Sequence, residues 1–137
     1  MLKYILQEMK VGDQKFMYNL LEEYVKTNLS VTVLTLKPFN EYFKIYNSNN
    51  LKTYIVIIKE ENAGFVHITK EGEIGYYLEK KYEGKGIASR AVKEMLHLNP
   101  MERYYSVVNI KNIRSSELVE GLGFLPKGIT YEKISNN

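Results

Sequence analysis

EIGYYLEKKYEGKGIASRAV, from Glu73 to Val92, changes its period halfway along. Tyr76, Tyr77 and Leu78 have the aromatic and branched character of a strand, whereas Ile87, Ala91, Val92 and Met95 recur at helical spacing. The glycines of Gly84-Lys85-Gly86 therefore sit where a strand gives way to a helix. At such a junction several backbone N–H groups lack an acceptor and point along the positive end of the helix dipole, which suits a phosphate or pyrophosphate. Glycine at 84 and 86 removes the side chains that would hold an anion away. The plainer alternative is that the two glycines only shape a tight turn.

Two familiar phosphate loops do not fit. A Walker loop requires Gly-Lys-Ser/Thr, and here Lys85 is followed by Gly86. A dinucleotide fingerprint needs a third glycine where Ser89 stands, after the first strand of a βαβ unit, and the residues before this loop read instead as antiparallel hairpins.

Outward from the loop, Leu2 to Gln7 reads as a first strand, and Gly12-Asp13 offers a start for a helix to about Thr27. Its stripe of Phe16, Met17, Leu20, Leu21, Tyr24 and Val25 describes one apolar face, read as core. Val31 to Leu36 suggests a short extended piece. After Pro38, the residues Phe39, Tyr42, Phe43 and Tyr46 follow at i, i+3, i+4 and i+7, so a second helix ends near Asn47 to Asn50. Strands are expected at Lys52–Lys59, Ala63–Thr69 and Glu73–Leu78, with turns at 60–62 and 70–72. His67 lies within the second of these and is read as an ordinary strand residue outside any site. The helix after the glycine loop runs to about Leu98 before Asn99-Pro100. A strand is expected at Arg103–Ile110, then a short helix capped by Asn112 or Ser115 and ended by Gly121 or Gly123, then a last strand between Phe124 and Ile134.

Gly75-Tyr76, Tyr82 and Gly84-Lys85-Gly86-Ile87-Ala88 resemble the acetyl-coenzyme A motif of the GNAT acyltransferases, whose Gln/Arg-x-x-Gly-x-Gly/Ala loop holds the coenzyme pyrophosphate. Lys81 stands where that family usually has Gln or Arg. Asn112-x-x-Ser115 before a helix closed by Gly123-Phe124 is similar to a second motif of the branch that acetylates ribosomal-protein N-termini. The resemblance covers Lys52 to Ile134 well and the first fifty residues by element order alone.

The resemblance implies one α/β domain over residues 1–137, with a mixed, mostly antiparallel twisted sheet, helices on both faces, and a splayed strand pair that admits the coenzyme. It implies acetyl-coenzyme A as cosubstrate, held by Tyr76, Tyr77 and Leu78 along the strand, by Lys81, Tyr82, Gly84, Lys85, Gly86, Ile87 and Ala88 at the pyrophosphate, and by Asn112. A backbone N–H near Tyr77 or Leu78 would stabilise the oxyanion as acetyl passes to a primary amine, either a peptide N-terminus or a small amine. Relatives often carry a catalytic Tyr where this chain has Val119, and sometimes a Glu where it has Val107. Glu73 and Ser115 are the remaining candidates for base and acid. The rival is a GNAT-like module that binds coenzyme A or a protein partner without turnover.

Composition narrows the partners. The 137 residues suit one domain, and 45% of them are hydrophobic, enough to close a core. A net charge of +3, from 19 basic and 16 acidic residues, is too small to argue for nucleic acid. Without cysteine there is no disulfide, thiolate metal site or cysteine nucleophile, and no metal is expected. No signal-like or membrane-length apolar run is visible, so the chain reads as cytoplasmic; a monomer or homodimer is expected beside the acetyl-coenzyme A and amine partners.

Overall fold

The computed structural model describes residues 2–135. Four strands, β1 (Ile5–Glu8), β2 (Asn50–Ile58), β3 (Glu61–Thr69) and β4 (Ile74–Leu78), form one sheet in sequence order with every pair antiparallel. Helices α1 (Gln14–Val25) and α2 (Phe39–Asn49) separate β1 from β2, while α3 (Ile87–Leu98) and α4 (Ile113–Gly121) follow β4.

The sheet is covered on both faces because its middle strands are apolar in both phases. On one side Ile55 and Phe65 pack with Met17, Leu20 and Leu21 of α1 and with Phe43 of α2. On the other, Val56, Ile58, Val66 and Ile68 meet Ile87, Ala91, Val92 and Met95 of α3. A one-residue slip of β3 would exchange these two sets, so the register is pinned from both sides. Each fully buried aliphatic side chain contributes about 1.5–3 kcal/mol.

The β2–β3 hairpin turns on Lys59 and Glu60, both with positive φ (52° and 66°), the handedness that matches strand twist in a two-residue turn. The turn therefore falls at 59–60 in place of the expected 60–62, and β3 begins at Glu61. β1 likewise begins at Ile5, not Leu2, and Val31–Leu36 is irregular.

The larger corrections concern the end of the chain. Arg103–Ile110 touches β4 through a single parallel bridge, Glu73 with Tyr105, in which Ile74 N–H donates to Tyr105 O at 2.9 Å and Tyr105 N–H to Gly72 O at 3.0 Å. Beyond it, Ser106 to Val108 bond to no backbone among the described residues. The expected last strand between Phe124 and Ile134 is irregular too. A strand needs a hydrogen-bonded neighbour, and among the described residues neither segment has one over its length.

Candidate functional site

The β3–β4 ladder decides which groups of β4 are free. Thr69 N–H donates to Glu73 O (2.9 Å) and Glu79 N–H to Ala63 O (2.8 Å), and the pairing between them has no bulge. Because hydrogen-bonded pairs alternate in an antiparallel ladder, the backbones of residues 73, 75, 77 and 79 face β3. Those of Ile74, Tyr76 and Leu78 face the other way. Ile74 is used by the Tyr105 bridge, which leaves Tyr76 and Leu78 with N–H and C=O groups directed into the gap where 103–110 diverges. An extended amide chain can pair there as an added strand would.

Past the gap, Lys80–Tyr82 makes one 3-10 turn and the glycine loop opens α3. Gly84 and Gly86 both have φ of 75°, Gly86 is the residue that starts α3, and no side chain caps it. A Cβ built on either glycine would meet nothing within 4 Å, so the space before the loop is clear. The first backbone bond is Arg90 N–H to Gly86 O at 3.3 Å, so the N–H groups of Ile87, Ala88 and Ser89 take no acceptor within the helix. This is a cradle of donors with room for a phosphate group. Lys81 and Lys85 are exposed at its rim; the Lys81 ammonium lies 3.8 Å from Glu61 and 5.1 Å from the Tyr82 ring centroid. Arg114 Nη1 donates to Glu83 Oε2 at 2.6 Å, tying the loop to the start of α4.

α4 supplies the other wall. Asn112, not Ser115, is its cap: the Asn112 side-chain oxygen accepts from Ser115 N–H at 3.2 Å. The Ser115 hydroxyl bonds instead to the Tyr76 hydroxyl, joining two expected site residues across the gap. Burial pushes the Tyr76 phenol up against the opposing pull of its bonds to Ser115 and Ser106. Tyr76 of β4 thus meets Ser115 of α4 across the gap, and Glu83 of the glycine loop meets Arg114, two residues after the Asn112 cap.

Tyr77 and Glu73 belong to the opposite face. The ring of Tyr77 meets Tyr24 of α1 edge-on at 5.1 Å between centroids and stacks on Phe65 at 4.9 Å. Its backbone is spent on β3, so of the two N–H groups proposed for the oxyanion only that of Leu78 points into the gap. Glu73 follows the unbulged alternation and shares the face of Gly75 and Tyr77. Burial, and then the nearby Glu71 carboxylate, raise its pKa above the usual value. His67 lies on this same face, its Nδ1 buried without a partner and its pKa lowered by burial to about 4. Tyr24, expected as packing, packs edge-on against Tyr77 and also lies beside Asn112. Its stripe in α1 signalled burial, but nothing in the sequence brings it beside Tyr77 and Asn112.

Val119 is buried at 8% exposure and Val107 is 40% exposed, and neither can carry a proton. Among the described residues no cluster of His, Asp and Glu could hold a metal, and no helix is long and apolar enough to cross a membrane.

Residues 4–125 match the family model described as an acetyltransferase (GNAT) domain. A comparison with curated sequences finds no match. Among solved structures, a domain from Methanocaldococcus jannaschii DSM 2661 superposes with a TM-score of 0.80 at 20% identity, covering 96% of this chain and 94% of that one. Spermidine N-acetyltransferase from Vibrio cholerae, in complex with CoA and spermine, gives a TM-score of 0.77 at 21% identity, with 98% and 88% covered. An acetyltransferase of the GNAT family from Streptococcus pneumoniae gives 0.72 at 19%, with 92% and 87% covered.

Proposed function

The chain belongs to the GNAT acetyltransferase family, and on that premise we propose that it moves an acetyl group from acetyl-coenzyme A directly to a primary amine. The observation that carries the reading is the pairing of two sets of free donors, one at the Leu78 edge of β4 and one at the glycine-started N-terminus of α3, on either side of a 3-10 turn whose Tyr82 and Glu83 N–H groups are spent. The pyrophosphate sits on the amides from Gly84 to Ala88, with Lys81, Tyr82 and Lys85 around it and Asn112 across from it. The pantetheine pairs with Tyr76 and Leu78, and Leu78 N–H donates to the thioester oxygen as charge develops there.

The amine nitrogen attacks the carbonyl carbon, the C–N bond forms and the C–S bond breaks. The ammonium proton leaves through water to Glu73, whose raised pKa makes it a better base than a solvated carboxylate. The Ser115 hydroxyl, bonded to the Tyr76 hydroxyl, is the group we assign to hydrogen-bond the departing thiolate, which takes its proton from solvent. A thiolate, with a pKa of about 8.5 in a free thiol, tolerates weak acid catalysis. The acceptor classes are two: peptide N-termini, as in the ribosomal-protein branch that the motifs resemble, and aliphatic amines of the kind that the Vibrio cholerae structure holds.

Thiol release with a panel spanning both classes, beside calorimetric binding of coenzyme A, tests the proposal. Glu73→Gln should lower the rate at least about tenfold, about 1.4 kcal/mol of barrier, and leave coenzyme affinity intact. Rates equal to the parent's would remove Glu73 from the mechanism. Coenzyme binding without acetylation of any amine would favour the non-catalytic module, the reading to which Val107 and Val119 lend weight.

A further inference from the structure

Two neighbouring residues of α4 make contacts across the gap. Ser115 bonds to the Tyr76 hydroxyl, and Arg114 bonds to Glu83, 31 positions earlier in the chain. Glu83 directly precedes Gly84, so it carries a negative charge into the loop whose amides are laid out for an anion. Alone there it would repel a phosphate group, and Arg114 cancels that charge. The contact is a single one, Nη1 to Oε2 at 2.6 Å. A guanidinium presents several N–H donors in a planar fork, and among the described residues no other bond engages those of Arg114. The side chains of Arg114 and Glu83 are 67% and 42% exposed, and exposed pairs of this kind add little to stability. The fold therefore loses little when this pair opens.

We propose that Arg114 is a coenzyme-binding residue held in reserve by Glu83, and that its guanidinium leaves the carboxylate for a phosphate group of the coenzyme when the glycine loop is filled. The inference rests on the coenzyme reading of that loop. A phosphate group offers oxygens in the spacing that the guanidinium fork accepts in pairs, whereas the carboxylate here takes only one bond, so the exchange gains a charge-assisted bond. No covalent bond changes; a cation changes partners. Lys85, by contrast, makes no ion pair among the described residues and needs no release. The pair thereby acts on specificity. A ligand without phosphate has nothing to offer Arg114 in place of the carboxylate, and it meets a loop that stays tied to α4.

Calorimetric titration of coenzyme A into the parent and its variants tests the exchange. Breaking an exposed ion pair changes an equilibrium by a small factor, so Glu83→Gln, which frees Arg114 and removes the repelling charge, should tighten binding about threefold. Arg114→Gln should weaken it at least about tenfold through a lost charge-assisted bond. Arg114→Lys keeps the charge without the fork and should lose less. Melting curves should match the parent's, because both side chains are exposed. The 3′-dephospho form of the coenzyme tells which phosphate is taken: a loss in Arg114→Gln that persists with this form assigns the pyrophosphate, and a loss confined to coenzyme A assigns the 3′-phosphate. A pair that only braces the loop against α4 would make Glu83→Gln and Arg114→Gln weaken binding alike, and that result overturns the proposal. So does parental affinity in Arg114→Gln. A parent that binds no coenzyme A at all overturns the coenzyme reading of the loop, and the exchange with it.

Discussion

His67 shows how a single residue can depend on a neighbour that is far away in sequence. Its ring lies between those of Tyr46 and Tyr77, with centroids at 5.7 and 6.2 Å, and over Gly75, where a Cβ would fall 2.3 Å from Nε2. Burial holds the imidazole neutral down to about pH 4, against 6.5 when it is free. Between those values the unfolded chain binds the proton and the folded one does not, so stability rises with pH across the window and is lost as pH falls through it. The slope is at most about 1.4 kcal/mol per pH unit. His67→Phe should keep the ring packing and flatten acid unfolding between pH 4 and 6.5. Denaturant melts at stepped pH measure this, and an unchanged slope would assign the acid sensitivity to other groups. The sequence shows a strand histidine here and gives no sign of the glycine across the ladder. The same ladder, not the residue types, separates Tyr76 from Tyr77.

At the scale of elements, the helix after the loop and the hairpins before it were legible, because burial on one face imposes a period and glycines mark the breaks. The glycine loop carries a prediction of its own. Asn tolerates the left-handed backbone that Gly86 adopts, whereas Val does not, so Gly86→Asn should leave the fold intact and still place a side chain in the anion seat. Coenzyme A affinity should fall by about 1–3 kcal/mol in both variants, and the melting temperature only with Gly86→Val. Parental affinity in Gly86→Asn would move the seat elsewhere. In α4, Asn112→Ala should cost about 0.5–2 kcal/mol of stability as a lost cap. Ser115→Ala should cost about 0.5–1.5 kcal/mol through the lost Tyr76 bond and slow acetylation in addition. A rate unaffected by Ser115→Ala would reduce it to a strut. The expected strands at 103–110 and 124–134 have the right composition, but among the described residues only the Tyr105 bridge pairs any part of them. Composition reports what a segment could pair with, and not whether a partner edge lies beside it.

Across the whole molecule, two apolar clusters grip one sheet, and the gap beside β4 opens where the sheet runs out of strands. The interior therefore depends on β2 and β3, and these meet at Lys59 and Glu60, two non-glycine residues with positive φ. Closing this turn carries a backbone cost of about 1–3 kcal/mol each that Asn-Gly would avoid. The cost falls early in time if the hairpin belongs to the folding nucleus, because a two-residue loop is the shortest closure in the sheet. In Lys59→Asn with Glu60→Gly, stopped-flow refolding should accelerate while the unfolding arm stays put. Unchanged refolding with slower unfolding would mean that the chain collapses first and bends at Lys59 last. The turn is thus a governor on how long the apolar strands stay exposed after synthesis, and so on the time available for them to aggregate.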